Sequence, residues 1–128
     1  LDGGDYLDAA AKQGQTVVVH AHGDNSERWK TILASWEQYT LSPHLILSHQ
    51  VDQTIPGMHN FGGFTDGDRA LCFVLSLGVD LEHIKLIGFT LNRVGQWSGV
   101  TVPETKLKKL KWMERIVSEL GFGHFIKK

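Results

Sequence analysis

The chain has little that would cross-link it or place it in a membrane. A single cysteine, Cys72, stands among 128 residues, so no disulfide framework forms within the chain. A lone thiol inside an apolar helical run reads as a reduced core side chain, and a cytoplasmic location is the expectation that follows. No apolar run approaches the roughly 20 residues that span a bilayer. No signal-peptide pattern opens the sequence, so no membrane partner is expected. Charge of one sign is lacking too. Thirteen Lys and Arg against fourteen Asp and Glu leave a formal charge of −1, which offers no footprint for a nucleic acid. With three prolines there is no linker or proline-rich tract, and no internal repeat is visible. What remains is ordinary for a soluble globular protein, 41% hydrophobic and 21% charged. Residues 1–128 are one domain's worth of chain, enough for a real core.

Apolar patterning alternates between strands and helices. Leu7 to Lys12 reads as a short helix stopped at Gln13-Gly14. Thr16-Val17-Val18-Val19-His20 is β-branched without alternation, which predicts a strand buried on both faces. A helix follows over Ser26 to Tyr39, with Ile32, Leu33 and Trp36 as its stripe. His44 to Ser48 reads as a second buried strand, and His49 to His59, with Pro56-Gly57, as an irregular loop. A helix capped at Thr65 or Asp66, with its apolar run from Ala70, ends at Gly78, and Ile84 to Phe89 reads as a third strand. Thr101-Val102-Pro103-Glu104 has capping-box spacing ahead of a stripe of Leu107, Leu110, Met113, Val117 and Leu120. Gly121 stops that helix, and His124-Phe125-Ile126 reads as a last strand. This order predicts α/β architecture with a mainly parallel sheet, whose ligands bind beyond the carboxyl ends of the strands.

Two turns carry the chemistry. The first is Asn60-Phe61-Gly62-Gly63-Phe64-Thr65-Asp66-Gly67-Asp68-Arg69-Ala70, directly before an apolar helical run. Glycines let the backbone approach a ligand closely, and Thr65 or Asp66 is a natural N-cap that leaves first-turn amides facing an anion. Two carboxylates in the same turn would repel a bare phosphate. A divalent cation between them removes the conflict, and magnesium is commonly held by one or two carboxylates plus substrate phosphates. The plain alternative is an acidic N-cap on an ordinary helix.

The second turn is His20-Ala21-His22-Gly23-Asp24-Asn25, at the end of the first strand. Alternation puts His20 and His22 on one side, with Asp24 at the helix entry. A His-x-His-x-Asp run is typical of binuclear zinc hydrolases of the metallo-β-lactamase kind, although Asn25 stands where that motif has a further histidine. The other reading is a magnesium–phosphate site in which Asp24 is a hard oxygen ligand. That reading also accounts for the acidic glycine-rich turn. A third is a simple helix cap with packed histidines.

Taken together and in this order, the two turns resemble the archaeal-type 6-hydroxymethyl-7,8-dihydropterin pyrophosphokinases, distant relatives of thiamine pyrophosphokinase. Leu1-Asp2-Gly3 is similar to the end of that family's Asp-Leu-Asp-Gly motif. Gln50 or Gln53 falls where members carry Thr-Gln, and Gly95-Gln96-Trp97-Ser98 is similar to a later Gly-Arg-Tyr-Ser-like turn. The resemblance implies a Rossmann-like, three-layer α/β domain of which this chain is the carboxyl-terminal part, lacking early strands. It also implies magnesium-dependent transfer of diphosphate from ATP to a reduced pterin, releasing AMP. Asp2, Asp24, Asp66 and Asp68 would then surround the metal. His20 or His22 would position the pterin hydroxyl or touch phosphate, and Arg69 would stabilise transferring or leaving charge, an exposed ion pair being its alternative. Asn25 would be an outer-shell or ribose contact. Asn60, Gly62, Gly63, Thr65 and Gly67 would line the ATP site. One departure is Thr90, where the family typically has an aspartate. The rival expectations are a nucleotide-binding or sugar-transferring relative without pterin kinase activity, and the zinc hydrolase.

Other features have plainer readings. Lys106, Lys108, Lys109 and Lys111 read as the solvated face of an amphipathic helix. Trp29, Trp36 and Trp112 read as core or interface, while Trp97, in a glycine-rich loop, is the better stacking residue. A sheet lacking strands would expose apolar surface, so self-association into a homo-oligomer is also expected.

Overall fold

The computed structural model describes residues 4–23, 25–91 and 102–125. Asp2, Asp24, the Gly95-Gln96-Trp97-Ser98 turn, Thr101 and Ile126 lie outside the described residues. The chain divides into two compact units, Leu1–Asn60 and Phe61–Lys128.

In the first unit, α1 (Gly4–Lys12), β1 (Thr16–Ala21), α2 (Ser26–Trp36) and β2 (His44–His49) follow one another. The two strands pair in parallel, with Thr16 opposite His44 and Ala21 opposite His49. Parallel neighbours need a crossover, and α2 supplies it. Ala11, Val17, Val19 and Trp36 form the core, with Leu7, Ile32, Leu33 and Leu47 packed around them. Val17 and Val19 are buried, while Val18 between them is 42% exposed. The expectation of a strand covered on both faces is therefore corrected. β-Branched residues favour a strand whichever face is covered, so an unbroken run does not separate the two cases. The segment after β2 is less irregular than expected. His59 N–H donates to the Leu47 carbonyl and His49 N–H to the His59 carbonyl, each at 2.9 Å, which lays His59 beside Ser48.

In the second unit, α3 (Asp66–Ser76) and α4 (Pro103–Glu119) pack around Leu71, Leu110, Met113, Val117 and Phe122. Residues 84–87 alternate as a strand should, and Gly88, at φ 78°, then shifts the phase before Phe89. Ile84, Leu86 and Phe89 pack on the core, and Ile87 is 87% exposed. Yet the segment belongs to no strand ladder among the described residues, which corrects the expected third strand. Ile84 N–H donates to the Leu81 carbonyl at 3.1 Å, and Thr90 just beyond makes a single β-bridge. The expected last strand is also corrected. Gly123–Phe125 is a 3-10 turn, because the helix end folds the chain back. Gly121, at φ 92°, and Phe122 close α4 through hydrogen bonds to Ser118 and Val117 at 3.0 and 2.9 Å. This is the Schellman pattern, with Phe122 packing on Val117 as that pattern favours. At the other end Val102, rather than Thr101, is the N-cap, and Pro103 begins the helix. The described architecture is thus a helix–strand mixture with a two-stranded parallel sheet, compatible with α/β.

α1 is tied to α2 by a carboxylate. Asp8 accepts hydrogen bonds from Trp36 Nε1 at 3.1 Å and from the Tyr39 hydroxyl, and pairs with Lys12 at 3.0 Å. The Tyr39 hydrogen bond, with help from Lys12, holds the Asp8 carboxyl below its usual range. A depressed carboxyl contributes stability above its unfolded value of about 3.9, and that contribution is lost as pH falls through the folded value. Asp8→Ala is therefore expected to lower the thermal midpoint at pH 7. The gap from the parent protein should close as melts are repeated below about pH 4. A gap that stayed constant with pH would contradict the ionic origin.

Candidate functional site

The glycine-rich turn is built by Asp68. This residue is fully buried, at 0% exposure, one turn inside α3. Its carboxylate reaches back to accept the N–H of Phe64 at 2.8 Å, the N–H of Thr65 at 2.6 Å and the Thr65 hydroxyl. Hydrogen bonds to a charged acceptor are among the stronger ones, and the helix start favours negative charge. Thr65 takes the N-cap position in extended conformation, as the sequence predicts. Gly62 and Gly63 have φ of 83° and 82°, the left-handed region. A Cβ at Gly63 would stand 2.6 Å from Arg69 Cα, so the loop lies directly against the first turn of α3. Arg69 is 9% exposed, and its Nη1 donates to the Gly62 carbonyl at 3.1 Å. The exposed ion pair considered for Arg69 is corrected: the guanidinium is folded into the loop it supports. Burial pushes the Cys72 thiol up, with the Asp68 charge adding to the effect, as suits an unreactive core sulfur.

The two carboxylates of the turn have different surroundings. Asp66 is exposed and lines a cleft of about 240 Å³, whereas Asp68 does not reach it. Thr65 and Gly67 share that wall, residues 87–90 form another, and Lys106, Leu110 and Met113 of α4 a third. Gly67 packs closely, since a Cβ there would meet the Phe89 ring at 3.1 Å and push it by a few tenths of an ångström. Thr90, the departure from the family pattern, is half-buried in the same cleft.

Lys106 was missed by sequence reasoning. It is half-buried on the α4 face that carries Leu110, Met113 and Val117, while Leu107 is 37% exposed. Spacings of four, seven and eleven from residue 106 place it on that stripe, and this was the signal available.

In the first unit, the histidine turn is shaped by Asn25. Its Nδ2 donates to the His20 carbonyl at 2.9 Å, and its Oδ1 accepts the His22 N–H at 3.2 Å. It stands at the N-cap of α2 yet caps nothing with its side chain. The rings of His20 and His22 are 5.9 Å apart, and His20 Nδ1 shares a 3.0 Å hydrogen bond with Ser48 Oγ. Ser48 and His49 are 2% and 5% exposed at the carboxyl end of β2, where parallel sheets bind ligands. Asn60 Nδ2 donates to the Val51 carbonyl at 3.1 Å and braces the loop. No three His, Cys, Asp or Glu side chains converge as a metal cage among the described residues. Nor, among them, is any helix long and apolar enough to cross a membrane.

Oxygen donors at a helix start, facing a cleft with a lysine, define a class of site suited to phosphate groups accompanied by a hard cation. Similarity to known proteins narrows the class. Over 123 residues, 91% of this chain, 34% are identical to the 6-hydroxymethyl-7,8-dihydropterin pyrophosphokinase of Pyrococcus furiosus, 48% of whose length is covered. The protein of the same name from Methanothermobacter thermautotrophicus is 44% identical over 87 residues, 66% of this chain and 33% of its own. That from Methanocaldococcus jannaschii is 29% identical over 117 residues, 85% of this chain and 47% of its own. The resemblance read from the two turns is thus borne out over most of the chain, which spans about half the length of the curated relatives it matches. No family model matches the chain, and no solved structure does.

The loop geometry sets a stability contrast. Gly63→Ala combines left-handed backbone, which costs a non-glycine residue roughly 1–2 kcal/mol, with a collision against Arg69. Gly57→Ala has φ 76° but no atom within 4 Å of the added Cβ. Denaturant melts are expected to show Gly57→Ala losing about 1 kcal/mol and Gly63→Ala clearly more. Equal losses would contradict the close approach.

Proposed function

We propose that the complete protein transfers diphosphate from ATP to the hydroxymethyl group of 6-hydroxymethyl-7,8-dihydropterin and releases AMP. The similarity to three archaeal proteins of that name carries the reading. In this reaction the pterin oxygen attacks the β-phosphorus of ATP and loses its proton. The bond from that phosphorus to the oxygen bridging the α-phosphorus breaks, and AMP leaves. Such transfers depend on positioning and charge neutralisation more than on covalent help from the protein. A Rossmann-like three-layer domain is the architecture we infer for the whole protein.

Magnesium fits the residues present. Asp66, Thr65 and Thr90 offer hard oxygen atoms in one cleft, and magnesium bound with substrate phosphates needs only one or two carboxylates from the protein. When bound, the ion would neutralise phosphate charge. We assign Asp66 the role of a magnesium ligand in this cleft; ligand roles for Asp2 and Asp24 are proposed from the resemblance alone. Asp68 and Arg69 hold the glycine loop in shape, and Gly62, Gly63 and Gly67 let that loop and its neighbours approach closely. The first-turn amides of α3 face phosphate oxygens, while Thr65, whose N–H and hydroxyl both go to Asp68, caps the helix start that presents them. His20 and His22 contact substrate, and Asn25 fixes the turn that carries them. A cytoplasmic location is inferred with this reading.

One observation favours a second reading. Thr90 puts a hydroxyl in the cleft where the family typically has a carboxylate, which would suit a relative that binds nucleotide without turning it over. AMP release by the complete protein, given ATP, magnesium and the reduced pterin, separates the two. On the first reading AMP accumulates, and Asp66→Asn lowers kcat by roughly 100-fold or more, the order seen when one group aimed at developing charge is removed. The thermal midpoint of that variant should hardly move. Asp68→Asn instead turns an amide group toward the loop N–H groups. It is expected to lose about 1–3 kcal/mol of stability, read in denaturant melts. ATP binding without AMP would support the second reading, and near-normal turnover of Asp66→Asn would contradict the ligand assignment.

A further inference from the structure

The α4 stripe contains a residue that packing does not call for. Leu110, Met113 and Val117 are 6%, 5% and 0% exposed, and Lys106 continues their line one turn toward the helix start. An apolar side chain there would extend the core. A lysine there carries its aliphatic stem along apolar surface and an ammonium to the cleft rim. The other lysine near this helix start behaves differently: Lys108 is exposed and pairs with Glu104 at 2.8 Å. Lys106 has no carboxylate within ion-pair distance among the described residues, although Asp66 lines the same cleft.

Two opposite charges on the walls of one cleft, not paired with each other, suit a ligand that carries both signs. We infer that Lys106 is a phosphate-binding residue, and that a magnesium–diphosphate group bridges it to Asp66, with the cation toward the carboxylate and a phosphate oxygen toward the ammonium. This deepens the reading given above and rests on it for the identity of the ligand as the diphosphate part of a nucleotide. Leu110, Met113 and Phe89 line the cleft between the two charges. A lysine acts here as a point charge, with no demand for planar, two-pronged geometry.

Magnesium pyrophosphate binding to the complete protein, measured by calorimetry, tests the inference. Lys106→Met keeps the stem and removes the charge. It is expected to weaken binding by roughly 10- to 100-fold, the range for a hydrogen bond to a charged group. Its thermal midpoint should stay level or rise, because an apolar side chain suits that stripe. Lys106→Arg should restore much of the affinity, and Lys108→Met should leave it unchanged. Asp66→Asn should reduce the dependence of binding on magnesium concentration while keeping the dependence on Lys106. Unaltered binding by Lys106→Met, or no binding by the parent protein, would overturn the inference. The two claims fail separately. AMP formation with unaltered binding by Lys106→Met would leave the pyrophosphokinase reading standing alone. Lys106-dependent binding without AMP formation would leave the bridging cleft and remove the pyrophosphokinase reading.

Discussion

The glycine loop of the second unit depends on one buried carboxylate. Asp68 holds the N–H groups of Phe64 and Thr65, and those bonds fix where the loop meets α3. The loop's own wall of the cleft is set by that contact. Gly63 has to be glycine because Arg69 lies beneath it, and Arg69 in turn holds the Gly62 carbonyl. Thr65 reaches its N-cap position, and Asp66, two residues before Asp68, is turned out to the cleft. A buried anion is costly unless its acceptor sites are filled, and here the loop fills them. The same bonds that satisfy Asp68 give the helix start its shape, so the acidic pair divides into a buried residue that shapes the loop and an exposed one that lines the cleft.

The histidine turn of the first unit follows a similar plan with a neutral side chain. Asn25 bonds to the backbone of His20 and His22, so the turn keeps its form without using either imidazole. The ring of His20 takes Ser48 as a partner. In each unit an Asx side chain near a helix start ties down a glycine-containing turn. The chemistry proposed for the chain then falls to neighbours of that residue rather than to the residue itself.

Much of this was legible in the sequence, for definite reasons. The start of α3 could be read because Thr65, Asp66 and Asp68 precede an apolar run, a pattern with few other uses. β1, α2 and β2 could be read because β-branched runs and helical stripes alternate there. Residues 84–87 have the alternation of a strand, but a ladder needs a partner, and pairing is not written in one segment's own residues. The end of α4 misled for a related reason: Phe122 is drawn into the core by the Gly121 turn, and that leaves Gly123–Phe125 as a 3-10 turn. Asp68 looked like Asp66 because both are carboxylates in one turn. Only burial separates them. Lys106 was hidden in a run of lysines, although its spacing to Leu110 and Met113 already put it on the packed face.

The central claim is that the complete protein moves two phosphorus atoms together to a pterin alcohol. The most direct measurement is the mass of the acceptor product formed from ATP and 6-hydroxymethyl-7,8-dihydropterin, with the nucleotide product quantified beside it. A diphosphate ester of the pterin with an equal amount of AMP is the predicted result. A pterin monophosphate with ADP, or an unchanged pterin beside bound and intact ATP, would contradict the claim.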